Sequence, residues 1–186
     1  MIVIIAGTNR PGSNTRKVTT HVETVYHSLG VPVQVLDLAE MPLEIFAPSA
    51  YEKPPASFKK FKDAILAADG LVVVTPEYNG SIPGVLKYFI DMLPFPESLE
   101  RRPVCFIGLA AGLWGALRPS EHLQQIFAYR NALVFPERVL LPGVNNLVAD
   151  DGKLHGVTEK NLRQQATKFI RFVEQVREKT FPKPPQ

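Results

Sequence analysis

Three short runs constrain this chain most: Ile2-Val3-Ile4-Ile5-Ala6, Leu71-Val72-Val73-Val74-Thr75 and Val104-Cys105-Phe106-Ile107-Gly108-Leu109. Each is β-branched and apolar with no polar alternation, and a strand with one wet face has to alternate, so these strands are covered on both faces. Strands of that kind belong to parallel sheets sealed between helices. The intervening sequence supplies them. Residues 14–29 carry Val18, Val22, Val25 and Leu29, and residues 57–68 carry Phe58, Phe61, Ile65 and Ala68, both at helical spacing. A third helix is expected after Pro83 (Val85, Leu86, Phe89, Ile90) and a fourth after Pro119 (Leu123, Ile126, Phe127), each proline suiting a first turn. Residues 33–38 alternate and fit a strand nearer an edge; a strand near 133–140 contains Pro136, which demands an edge position or a break. Leu162, Ala166, Phe169, Ile170, Val173 and Val176 form one stripe of a closing helix over 158–179. Strand and helix therefore alternate, which predicts an α/β sandwich with a five-stranded, doubly wound parallel sheet.

With 186 residues, the chain fits one domain at roughly 150 residues each. We place that domain at 1–180 and expect the proline-rich tail 181–186 to be loose. Lys and Arg number 21 against 18 Asp and Glu, a formal charge of +3 with no basic stripe, which argues against a nucleic-acid partner. The single cysteine, Cys105, excludes an internal disulfide and reads as a buried structural thiol. Histidines 21, 27, 122 and 155 lack metal-ligand spacing. The first residues lack a basic region and reach Gly7 quickly, and no run approaches the roughly 18 apolar residues of a membrane span. A cytoplasmic protein without membrane contact is expected.

In a doubly wound sheet ligands bind beyond the carboxyl ends of the strands, so the loops that follow the strands are where function is sought. The first runs Gly7-Thr8-Asn9-Arg10-Pro11-Gly12-Ser13-Asn14-Thr15 into a helix. Its hydroxyls, the Asn14 amide, the Arg10 guanidinium and the helix N-terminus are all donors suited to a phosphate. The same residue types also serve as plain helix caps. Ser13-Asn14 stands where a P-loop needs Lys followed by Ser or Thr, and G-x-G-x-x-G is absent. That leaves a phosphate site needing neither magnesium nor a catalytic lysine, as for a mononucleotide. The second loop, Pro76-Glu77-Tyr78-Asn79-Gly80-Ser81-Ile82-Pro83-Gly84, combines an aromatic, an amide and a flexible turn that could cover a flat heteroaromatic ring, though Asn79-Gly80 could equally be a turn supplying positive φ. In the third, around Ala111 and Gly112, small residues permit close approach to the backbone.

The ordered set Ile5-Ala6-Gly7-Thr8-Asn9-Arg10-x-x-Ser13-Asn14-Thr15 followed by Ala68-Asp69-Gly70 through Pro76-Glu77-Tyr78-Asn79-Gly80-Ser81-Ile82-Pro83-Gly84-Val85-Leu86-Lys87 resembles the NADPH-dependent FMN reductase family, over most of residues 1–175. The resemblance implies a three-layer flavodoxin-like fold with FMN as cofactor and NAD(P)H as electron donor. It implies that Thr8, Arg10, Ser13, Asn14 and Thr15 hold the FMN phosphate and that Pro76, Glu77, Tyr78, Asn79 and Gly80, with Ala111 and Gly112, line the ring. The implied reaction is ping-pong, with the electrons passing to a small-molecule acceptor such as a quinone, azo compound, free flavin or metal ion, and with no side chain acting as nucleophile or base. Gly115-Ala116-Leu117-Arg118 keeps the family's Arg but loses one glycine, and Leu113 and Trp114 are bulkier than the pattern. A homodimer or homotetramer is expected, with residues 42–55 as a candidate surface. The alternative reading is a flavodoxin-type electron carrier without direct NAD(P)H turnover; such carriers are typically acidic, whereas this chain has a pI near 9.0.

Overall fold

The computed structural model describes residues 1–149, 154 and 156–178; the tail from 181 onwards lies outside them. The three apolar runs form β1 (Ile2–Ala6), β3 (Gly70–Pro76) and β4 (Pro103–Leu109), every residue of which is buried. The alternating run forms β2 (Val33–Asp37), where Leu36 alone is buried, as its edge position requires. All pair in parallel in the order β2-β1-β3-β4, with Ile2 opposite both Val33 and Gly70 and Leu71 opposite Val104.

The fifth position is interrupted. β5 (Leu133–Val134) pairs with Pro103–Val104 and β6 (Val139–Leu141) pairs with Ile107–Leu109, so two short strands share one edge of β4. The Phe135 N–H still donates to the Val104 carbonyl at 2.7 Å, but Pro136 has no N–H to continue the ladder, and the expected strand over 133–140 breaks there.

Because successive strand side chains point to opposite faces, β1 feeds two cores. Ile2 and Ile4 join Val72, Val74, Cys105 and Ile107 beneath α1 (Asn14–Ser28) and the closing helix, which in this structure is the sixth. Val3 and Ile5 join Leu71, Val73, Val104 and Phe106 beneath α2 (Lys59–Ala67), α3 (Gly84–Asp91) and α4 (Leu117–Tyr129). The result is the expected three-layer sandwich. α4 starts at Leu117, two residues ahead of the expected place, because Pro119 still lies within the first turn, where no intrahelical N–H is needed. A single unexpected turn, α5 (Val144–Leu147), follows β6, and α6 spans Val157–Glu178. No described helix is long and apolar enough to cross a membrane.

The chain passes from β1 to β2 on one side and then crosses to β3 on the other, so the winding reverses between β1 and β3. The crevice that this reversal opens lies beyond Ala6 and Pro76.

Candidate functional site

A cleft of 510 Å3 opens there, a volume in the range of small-molecule sites. Its first wall begins at Gly7. The Gly7 N–H donates to the Val74 carbonyl at 2.8 Å, and a Cβ at this position would stand 2.8 Å from that same oxygen, so only glycine lets the end of β1 run this close to β3. The chain then turns into α1, bringing Arg10, Ser13, Asn14 and Thr15 to the cleft. Ser13 is the N-cap, its Oγ accepting from the Arg16 N–H at 3.2 Å, so the capping role read from sequence is real. Capping uses the oxygen as acceptor and leaves the hydroxyl hydrogen to donate. Arg10 is exposed and has no carboxylate partner among the described residues. A guanidinium, two hydroxyls and the head of a helix make a donor-rich cradle, the chemistry that a phosphate requires.

Pro76, Glu77 and Tyr78 form the second wall, steadied by the Glu77 N–H donating to the Leu109 carbonyl at 3.1 Å. Tyr78 to Ser81 is a tight turn with two reciprocal backbone bonds of 2.9 and 3.0 Å, and its central residues Asn79 and Gly80 have φ of 52° and 74°. That is the left-handed pair for which Asn-Gly is the favoured sequence. Asn79 and Gly80 thus shape the turn and lie off the cleft wall. Thr8 is also off the wall: it is buried, its Oγ1 lies 2.9 Å from the Tyr78 hydroxyl, and it accepts from the Arg10 N–H at 3.3 Å. It ties the first wall to the second.

The third wall is Leu109, Ala110 and Ala111; Gly112 is off it, and Leu113 and Trp114 project outward at 89% and 73% exposure. Val144 and Asn145 add a fourth wall, with the Asn14 amide donating to Asn145 Oδ1 at 2.9 Å and the Val144 N–H donating to the Ala110 carbonyl at 3.0 Å. Sequence reading missed this wall. The rule that sites follow strand ends would have found it had the last strand been divided at Pro136. Cys105 stays inside β4 away from the cleft, where burial pushes its thiol far above the ordinary range and leaves it unreactive.

A donor-rich helix head and a flat-sided loop meeting at the switch point of a parallel sheet define a mononucleotide-binding α/β protein. Over residues 1–146 the sequence matches the family described as NADPH-dependent FMN reductase, and the chain belongs to that family. It is 30% identical over 181 residues to a quinone reductase of Escherichia coli K12, covering 95% of this chain and 96% of that protein. It is also 30% identical to an NADPH azoreductase of a Bacillus species, covering 82% of this chain and 81% of the relative. Among solved structures, a flavoenzyme NAD(P)H:(acceptor) oxidoreductase from Paracoccus denitrificans superposes with a TM-score of 0.79 over 94% of this chain and 97% of that one; at 23% identity the likeness concerns the fold.

Proposed function

We propose that this cleft holds FMN and that the protein is an NAD(P)H-dependent oxidoreductase acting on small acceptors of the quinone, azo, flavin or metal-ion type. The observation that carries the reading is the meeting, in one cleft, of the donor-rich head of α1 with the Pro76–Tyr78 segment. Held there, FMN would supply the redox chemistry, the relay of electrons from NAD(P)H to the acceptor. The protein's part is binding and alignment. Arg10, Ser13, Asn14 and Thr15 bind the phosphate, and Thr8 holds Tyr78 in register with them. Pro76, Glu77 and Tyr78 place the ring, Asn79 and Gly80 fix the turn behind it, and the small Ala111 keeps the third wall low enough for close approach. No side chain has to act as nucleophile or base.

The reading extends to the whole molecule: one domain over residues 1–180, in the cytoplasm, without nucleic acid, assembled as a homodimer or homotetramer. Support for assembly comes from residues 42–55, which bury Ile45 and Ala50 but leave Leu43, Phe46 and Tyr51 at 80%, 45% and 58% exposure. The test of activity is the visible spectrum of purified protein given FMN, before and after anaerobic NADPH. Protein-bound flavin bands that bleach promptly are expected. Bound flavin that stays oxidised with both NADPH and NADH would mark an electron carrier, and a lack of flavin binding would overturn the cofactor assignment.

A further inference from the structure

We infer that His122, on the flank of α4, is a positioning residue for the flavin-facing loop and acts through Ser81. The inference rests on the reading of residues 76–80 as that loop. A two-residue hairpin is marginal by itself, and the Tyr78–Ser81 turn stands between β3 and α3 with no ladder beside it, so its place must be set from outside. Two side-chain contacts set it. On one side the Tyr78 hydroxyl meets Thr8 Oγ1 at 2.9 Å; on the other, Ser81 Oγ meets His122 Nδ1 at 2.9 Å.

α4 is a firm anchor for the second contact. Pro119, Ser120, Leu123 and Phe127 are buried, Ser120 Oγ donates to the Ala116 carbonyl at 2.9 Å, and the Phe127 ring meets Phe106 edge-on at 5.5 Å. His122 lies off that buried stripe and is half-buried, so its ring is not part of what seats the helix. One turn earlier Arg118 approaches the same loop: a Cβ on Gly80 would lie 3.6 Å from Arg118 Nη1. The flank of α4 therefore backs the turn, and the Ser81–His122 bond fixes how far Glu77 and Tyr78 stand from the opposite wall. Small displacements of such walls matter because alignment is the protein's main contribution.

The test is FMN titration, followed by fluorescence quenching, of wild-type protein, His122→Ala, His122→Asn, His122→Gln, Ser81→Ala and the Ser81→Ala/His122→Ala double variant. Without this bond the loop has to be ordered on binding, and since one such hydrogen bond is worth about 1 kcal/mol, either alanine variant is expected to bind FMN up to about fivefold more weakly. The double variant is expected to be no weaker than either single one, because both remove the same contact. Asparagine, whose amide reaches the place of Nδ1, is expected to restore binding, and glutamine, which reaches the place of Nε2, is not. A purely structural histidine would lower the melting temperature of the apo-protein without this pattern in FMN affinity. Wild-type affinity in His122→Ala, or losses that add in full in the double variant, overturn the inference while leaving the cofactor reading intact. If wild-type protein binds no FMN, both fall together.

Discussion

At the scale of single residues, charge and burial separate Arg10, read from the sequence as a ligand-binding cation, from Cys105, read as a buried structural thiol. Arg10 is exposed at the cleft and has no carboxylate partner among the described residues, so its charge is available to a ligand. A charged hydrogen bond to phosphate exceeds a neutral one, but exposure and salt reduce it. Arg10→Ala is therefore expected to weaken FMN binding about tenfold at low ionic strength, with the gap narrowing as salt is added; titrations at two salt concentrations check both the size and the trend. Cys105 is the opposite case. Its thiol is fully buried beside Tyr26, and burial raises its pKa well above the ordinary 9.0. Above pH 9 the unfolded chain loses this proton while the folded chain keeps it, so stability falls as pH rises, by up to about 1.4 kcal/mol per pH unit from this group. Urea unfolding at pH 9 and 10 should show a flatter dependence in Cys105→Ala than in the wild type.

At the scale of elements, the same patterns that specify the sheet also specify what seals it. α6 closes one face through Phe169, fully buried and packed against Phe135 with ring centroids 5.7 Å apart. Truncating such a ring costs about 3–5 kcal/mol. Phe169→Ala is expected to lower the unfolding free energy in urea by that amount, with FMN affinity per folded molecule unchanged because α6 contributes nothing to the cleft wall. The stripe from Leu162 to Val176 was legible because burial on one helix face imposes a period; the three central strands were legible because burial on both faces removes one. The interrupted β5–β6 edge was half legible: Pro136 signals a break, but nothing local states that Val139–Leu141 resumes pairing with the carboxyl half of β4. That long-range register hid Val144 and Asn145. The fates of Thr8 and Gly80 were illegible for a related reason. Both sit in loops that touch the cleft, yet whether a loop residue faces the ligand or braces its neighbour depends on contacts across the fold, Thr8 with Tyr78 and Gly80 with the flank of α4.

For the whole molecule, the most telling surface feature is an apolar face on the segment between β2 and α2. Leu43, Phe46 and Tyr51 leave the 42–55 segment apolar side out, with Phe46 and Tyr51 grouped around Tyr88 at ring-centroid distances of 4.8 and 5.7 Å. Keeping such aromatics in water forfeits the stabilisation that burial would give, at about 25 cal/mol per Å2 of apolar surface. A formal charge of +3 provides little repulsion to hold two copies apart. Association through this face should therefore be apolar in character, and it should persist at high salt, unlike an assembly held by rim charges. Light scattering at micromolar concentration is expected to show a dimer or tetramer in both low and high salt, and Leu43→Asp/Phe46→Asp is expected to be monomeric, since each aspartate would lose hydration on entering the contact. Mass action supplies a second check: if assembly stabilises the fold, the melting temperature of the wild type rises with protein concentration and that of the double variant does not. A wild-type monomer whose melting temperature is independent of concentration would mean that this aromatic face stays open, and the proposed assembly would have to be given up.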